Sequence, residues 1–264
     1  MKKNGVMDLK IKNRNFIVTG VTSGFGRSAA ELLMEEGATV YGVARRKELL
    51  SEIKYKYDSR FEYLELDVTE DNAVEEIINL IGITKIDGVF VNAGGPPAKS
   101  FLETNLDDWD NAYRKLLRWK VDLVKRLIPR FQEQKYGKIL FLESASVKQP
   151  IENLVLSTSI RMSVVGMAKT LSQELASDGI TVNILAPGSH NTKAIERLIQ
   201  KKSETEGMSY NEAKSLFEEN TKLGFMGDPD DLATIAVWLL SPLSKFITGQ
   251  TVSIAGGVIS GVFG

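Results

Sequence analysis

Residues 16–26 read Phe-Ile-Val-Thr-Gly-Val-Thr-Ser-Gly-Phe-Gly, with a helical pattern starting at once in Arg27-Ser-Ala-Ala-Glu-Leu-Leu-Met. A strand that turns on glycines into a helix can hold a dinucleotide phosphate. Glycine lets the backbone approach a pyrophosphate, and the helix start offers free N–H groups and the positive end of the dipole. A second apolar run, 39–44, ends without an acidic residue and is followed by Arg45 and Arg46. An Asp or Glu there would bind the adenine ribose hydroxyls, whereas guanidinium groups suit a 2′-phosphate. The pattern favours NADP(H) over NAD(H); the competing reading is a solvated helix start. Other chemistries are excluded. With no cysteine and one histidine, the chain has no thiolate nucleophile, no cysteine-bound metal and no multi-histidine site. No metal is expected. A formal net charge of −1 gives no basic footprint for nucleic acid or anionic lipid.

The elements that must position this turn alternate. Short β-branched runs fall at 16–18, 39–43, 61–66, 86–91, 138–142, 180–185 and 250–254. Helical patterns fall near 27–36, 46–56, 70–82, 107–131, 154–176 and 228–240. Repeated β-α-β with buried strands predicts an α/β, Rossmann-like, doubly wound parallel sheet of about seven strands with helices on both faces. No linker or repeat divides the 264 residues, so 1–264 is read as a single domain. The stretch 193–225 is helix-compatible and lacks a strand; it is read as a substrate lid, with a plain surface hairpin as the alternative. Lys2 and Lys3 precede no apolar run and no segment reaches membrane-span length, so a cytoplasmic location without membrane association is expected.

Further strand ends complete a pattern. Asp67-Val68 closes the third strand, Asn92-Ala93-Gly94 the fourth and Pro187-Gly188-Ser-His190-Asn-Thr192 the sixth. Together with Thr19-Gly20 and the glycine turn, this set resembles the short-chain dehydrogenase/reductases. Leu223-Gly-Phe-Met-Gly-Asp-Pro-Asp-Asp and Ile247-Thr-Gly-Gln-Thr are similar to the tails of 3-oxoacyl-acyl-carrier-protein reductases in particular. The resemblance spans 10–257. It implies that Thr19, Gly20, Ser23, Gly24, Phe25 and Gly26 lie at the pyrophosphate and that Asp67 and Val68 hold the adenine. Asn92, Ala93 and Gly94 would flank the adenosine ribose; Pro187, Gly188, His190 and Thr192 would hold the nicotinamide end.

The catalytic positions depart from that family, whose members carry Ser on the fifth strand, Tyr thirteen residues on, and Lys four after the Tyr. Ser144 stands at the serine position, but Ser157 replaces the tyrosine, Arg161 the lysine and Leu116 the asparagine of the preceding helix. A phenol ionises near pH 10; an aliphatic hydroxyl is a far poorer acid or base and too short to take its place. Arg161 stays charged and can bind ribose hydroxyls, but it cannot shuttle a proton. Ser144, Ser157 and Arg161 are therefore the candidate catalytic residues. His190 is able to titrate near neutrality, but the reading preferred here is a loop histidine with its ring in solvent. Lys148 is read as a solvated lysine. Glu143 is set aside because strand alternation points it away from the face Ser144 uses.

Two functions are compatible with this pattern. One is an NADP(H)-dependent oxidoreductase acting on a carbonyl or hydroxyl group of a small-molecule or acyl-thioester substrate. The other is an NADP(H)-binding sensor or non-catalytic subunit. The apolar helix 107–131 and the tail 256–264 carry more apolar surface than one sheet face needs. Family members pair such surfaces, so a homo-oligomer, dimer or tetramer, is expected.

Overall fold

The computed structural model describes residues 7–262. Lys2 and Lys3, and the last two residues of the apolar tail, lie outside them. The strands are β1 (Asn15–Thr19), β2 (Thr39–Ala44), β3 (Phe61–Glu65), β4 (Gly88–Val91), β5 (Gly137–Leu142), β6 (Ile180–Pro187) and β7 (Thr251–Ile254). They form one parallel sheet in the order β3-β2-β1-β4-β5-β6-β7. The order reverses between β1 and β4, so the ligand crevice of this doubly wound fold opens at their carboxyl ends.

Helices cover both faces. On one side α1 (Gly24–Glu35) and α9 (Pro229–Leu240) pack on Phe16, Val18, Val40 and Leu140. On the other, α3 (Ala73–Ile81), α5 (Trp119–Gln134) and α6 (Val155–Glu174) pack on Ile17, Val89, Val91 and Phe141. Alternate residues of β1 thus serve opposite cores, the period of two that a strand requires. The helix α2 (Lys47–Tyr57) lies beside β3, and α4 (Leu106–Tyr113) precedes α5.

The helix expected over 107–131 is interrupted. Between α4 and α5 the backbone widens into a π-type turn at Arg114–Arg118. Such bulges appear mostly as single turns, and frequently at functional sites. This one contains Leu116, which is fully buried. The stretch 193–225 folds as α7 (Lys193–Glu206) and α8 (Tyr210–Glu219). Ile195, Ile199, Met208 and Phe217 pack against each other there, so their apolar surface holds the hairpin together. Among the described residues, no helix is long and apolar enough to cross a membrane, and no cluster of His, Asp or Glu could hold a metal.

Candidate active site

The glycine turn is built by close contact with the end of β4. A Cβ on Gly26 would lie 2.3 Å from Gly20 O and 2.8 Å from Asn92 Nδ2, so only glycine fits. Gly20 (φ 67°) and Gly24 (φ 53°) have backbone conformations that other residues rarely adopt. Thr19, expected at the pyrophosphate, is instead fully buried. Its hydroxyl donates to Asn92 O at 2.7 Å and accepts from Asn92 N at 2.8 Å. Thr19 therefore fastens β1 to the loop after β4 and shapes the turn from beneath. Ser23 precedes the first residue of α1 and makes no capping bond to it, which leaves the first N–H groups of the helix open to an anion. A Cβ on Gly94 would meet nothing within 4 Å, so the crevice above the loop is open.

Arg46 reaches back over this turn. Its Nη2 donates to Thr22 Oγ1 at 2.8 Å and to Ser23 Oγ at 2.7 Å. Arg45 lies in solvent and donates to Asp67 Oδ2 at 3.3 Å, a surface pair of small energetic weight. Partial burial pushes the Asp67 carboxyl up, but donation from the N–H and hydroxyl of Thr69, with Arg45 nearby, outweighs it and holds the group below the usual carboxylate range. Val68 and Ala93 pack against the core beside β4.

The loop after β6 closes the other side of the crevice. A Cβ on Gly188 would strike Ala255 at 2.9 Å, and a Cβ on Gly24 would touch the methyl of Thr192 at 3.4 Å. Pro187 ends β6, and the Thr192 hydroxyl caps α7 by accepting from Ile195 N. His190 corrects the sequence reading: its ring is buried, not in solvent. Nδ1 lies 3.1 Å from Gly188 O, which can only accept, so Nδ1 carries the hydrogen. The ring meets Phe25 edge-to-face at a centroid distance of 5.0 Å. Phe25 and His190 thus join the glycine turn to the loop after β6. Packing also presses the ring on Gly227, where a Cβ would lie 2.9 Å from Nε2.

The residues fit a dinucleotide: a tight glycine turn, an uncapped helix start, cations at the end of β2 and an open crevice at the switch point.

Ser157 and Arg161 come together one turn apart on α6, both buried. Arg161 Nε donates to Ser157 Oγ at 3.1 Å. Its Nη1 donates to Glu143 Oε2 at 2.8 Å, and lies 3.4 Å from Leu142 O. The other oxygen of Glu143 accepts from Lys120 Nζ at 2.6 Å. Neither Lys120 nor Glu143 exposes any side-chain surface. A hydrogen-bonded chain therefore runs Ser157–Arg161–Glu143–Lys120 through the wall of the site. Burial pulls the Lys120 ammonium below the ordinary lysine range; the Glu143 carboxylate opposes that shift and Arg161 adds to it. Ser144, at the end of β5, accepts from Ser146 N at 3.2 Å and is half-buried.

A family model described as enoyl-(acyl carrier protein) reductase matches residues 20–259. The chain is a short-chain dehydrogenase/reductase. It is 28% identical over 260 residues to the 3-oxoacyl-[acyl-carrier-protein] reductase FabG of Aquifex aeolicus, covering 96% of this chain and 100% of that protein. The rat dehydrogenase/reductase SDR family member 6 is 26% identical, with 94% and 98% covered. Among solved structures, the L-sorbose reductase of Gluconobacter frateurii, complexed with NADPH and L-sorbose, superposes with a TM-score of 0.90 at 23% identity, covering 97% of this chain and 100% of that one.

As a short-chain dehydrogenase/reductase, this protein is an oxidoreductase that transfers hydride with a nicotinamide cofactor. Two residues in the wall of the candidate site, Glu143 and Lys120, are not among those the sequence motifs point to. Glu143 was set aside, yet it bonds the side chain that contacts Ser157. No motif in the sequence singles out Lys120. A signal for it existed: Leu116, Lys120, Leu123, Leu127 and Phe131 share one helical stripe. A charge on a buried stripe requires a partner, and Glu143, directly after the apolar run Ile139–Leu142 of β5, is that partner.

Proposed function

We propose that this oxidoreductase is NADP(H)-linked and acts on a carbonyl or hydroxyl carbon without a tyrosine acid. The observation that carries the cofactor preference is Arg46, whose guanidinium rests on the Thr22 and Ser23 hydroxyls at the glycine turn. A planar donor fork with hydroxyls beside it matches a phosphate monoester, and Arg45 adds a second cation. Bound NADPH supplies the hydride. Ser157 Oγ already accepts from Arg161, so its own hydrogen is free to be donated to a substrate oxygen. Ser144 offers a second hydroxyl from the end of β5. These groups orient and polarise a carbonyl, and water delivers the proton. General acid catalysis contributes typically about 10²–10⁴-fold, so turnover falls below that of tyrosine-bearing relatives by a factor in that range.

The α7–α8 hairpin is the element that covers substrate, and the exposed Phe101 and Leu102 ahead of α4, with Leu106 at its start, suit pairing with a second copy. The relatives named for 3-oxoacyl-[acyl-carrier-protein] reduction make acyl thioesters the first substrates to try, with ketones and sugars next.

Titration with NADPH and NADH tests the reading. NADPH binds the tighter, and Arg46→Ala weakens NADPH by about 10-fold or more while leaving NADH nearly unchanged. Equal affinity for the two nucleotides in the wild type refutes the phosphate assignment. Tight NADPH binding with no oxidation by any carbonyl compound favours the sensor over the enzyme.

A further inference from the structure

The charges in the wall of the site add up in an unusual way. Arg161 stands where a single family lysine would give one positive charge. Glu143 cancels Arg161 through a 2.8 Å ion pair. Lys120, 2.6 Å from the same carboxylate, adds a positive charge back. The three groups come from separate elements, α5, the end of β5 and α6, and all three are buried. Among the described residues, Glu143 and Arg161 are the ionisable side chains that act on Lys120. With Lys120 held as an ammonium by its 2.6 Å contact to Glu143, the three groups carry a net charge of +1, set by a lysine that exposes no side-chain surface. Arg161 brings that charge to the surface of the site: its Nη2 bonds no described residue and lies 3.7 Å from where a Cβ of Gly95 would stand, on the loop after β4. That loop borders the switch-point crevice.

We infer that the Lys120–Glu143–Arg161 triad selects the redox form of the cofactor, admitting the reduced nicotinamide and disfavouring the oxidised one. This inference rests on the NADP(H) reading above. The physical reason is a difference of one charge. The oxidised nicotinamide ring is a cation and the reduced ring is neutral, so a buried positive charge in the adjoining wall repels only the first. In a poorly screened interior one unit charge shifts such a balance by an order of magnitude. The consequence is a site that loads NADPH from a mixed pool and releases NADP⁺ readily. Lys120 and Glu143 act here as positioning residues: Glu143 fixes the guanidinium and Lys120 supplies the charge.

Calorimetric titration of the full chain with NADPH and with NADP⁺ gives the ratio Kd(NADP⁺)/Kd(NADPH). Wild type has a ratio above one, and Lys120→Met lowers it about 10-fold. Lys120→Arg, which keeps the charge, retains the wild-type ratio. The double variant Lys120→Met with Glu143→Gln returns the wall to +1 through Arg161 alone and restores the ratio. A merely structural Lys120 gives no such restoration. If Lys120→Met fails to fold, Lys120→Gln serves, because its amide still donates to Glu143 without a charge. A ratio unchanged in a folded, charge-neutralised variant overturns the inference while leaving the cofactor reading intact. Wild-type protein that binds neither nucleotide overturns the cofactor reading itself, and the inference with it.

Discussion

The two ends of β5 bury charge in opposite ways. At the carboxyl end, Glu143 accepts from Lys120 and Arg161, and both cations face a carboxylate at 2.6–2.8 Å. At the amino end, Lys138 is also buried, but its hydrogen-bond partner is the Ser244 hydroxyl at 3.3 Å. Arg14 stands close by, paired with Asp87 at 2.5 Å and stacked 4.8 Å from the Tyr136 ring. Burial pushes the Lys138 ammonium down to about 8, and Arg14 adds to the shift. In a doubly wound sheet only the carboxyl end meets ligand. There, a charge is retained with its counter-ion and its position is exact enough to act. At the amino end a cation without a carboxylate is a standing cost to stability, tolerated because the core beside it is large.

The largest expected effect tests the carboxyl end. Glu143→Gln leaves Lys120 and Arg161 side by side in the interior without their anion. Breaking a buried pair in this way costs about 3–5 kcal/mol, which urea unfolding will report as a lowered midpoint. A loss under about 1 kcal/mol would mean that both cations reach water, and the contrast between the two ends would disappear.

The amino end predicts the opposite sign. Lys138→Met removes a poorly solvated cation and keeps the aliphatic volume, so it stabilises the protein by about 1–2 kcal/mol at pH 7. The pH dependence follows from the direction of the shift. The folded-state pKa of Lys138, about 8, lies below the ordinary lysine value of 10.5. Between those values the unfolded chain binds more protons than the folded one, so wild-type stability rises with pH through this window. The advantage of Lys138→Met is therefore full below pH 8 and shrinks towards pH 10. Thermal melts of both proteins across pH 7–10 check this, and an advantage that does not change with pH would show that the ammonium is not the source of the cost.

The same contrast explains what the sequence discloses. The inner strands are legible because the middle of the parallel sheet is buried on both faces, so that β4 and most of β1 and β6 read as apolar runs, while the edge strands β3 and β7 are only partly buried. The glycine turn is legible because the geometry at Gly20 and Gly26 admits no other residue. Pairing across the fold is harder to read. Lys120 and Glu143 are 23 positions apart, and nothing local says that their side chains meet. Strand alternation holds at Glu143, which follows Ile139 and Phe141 onto the face covered by α5 and α6; what alternation does not disclose is that Lys120 and Arg161 wait there. Likewise Thr19 reads as a ligand contact from its place in the turn, but the approach of β4 draws its hydroxyl to Asn92. The loop position of His190 suggests a solvated ring, but Phe25 and Gly227 pack around it. In each case the element was visible and the tertiary partner was not.

The smallest effect concerns Tyr136, whose buried hydroxyl has no hydrogen-bond partner among the described residues. Burial pushes its phenol up to about 12, so it remains neutral and contributes no charge to the amino-end cluster. What the ring offers is its face, to Arg14 at 4.8 Å and to Lys138 at 5.8 Å. Phenylalanine presents the same face. Tyr136→Phe therefore deletes an unpaired polar group and keeps both cation contacts. The expected outcome is no loss, or a gain of up to about 1 kcal/mol, in the same urea titration. The corresponding deletion at the carboxyl end, Ser157→Ala, removes a hydroxyl that Arg161 does use, and it costs about 0.5–1.5 kcal/mol. If Tyr136→Phe costs as much as Ser157→Ala, the phenol has a partner, such as a trapped water. The amino end would then be satisfied in its hydroxyl as well as in its arginine, leaving Lys138 alone to distinguish the two ends.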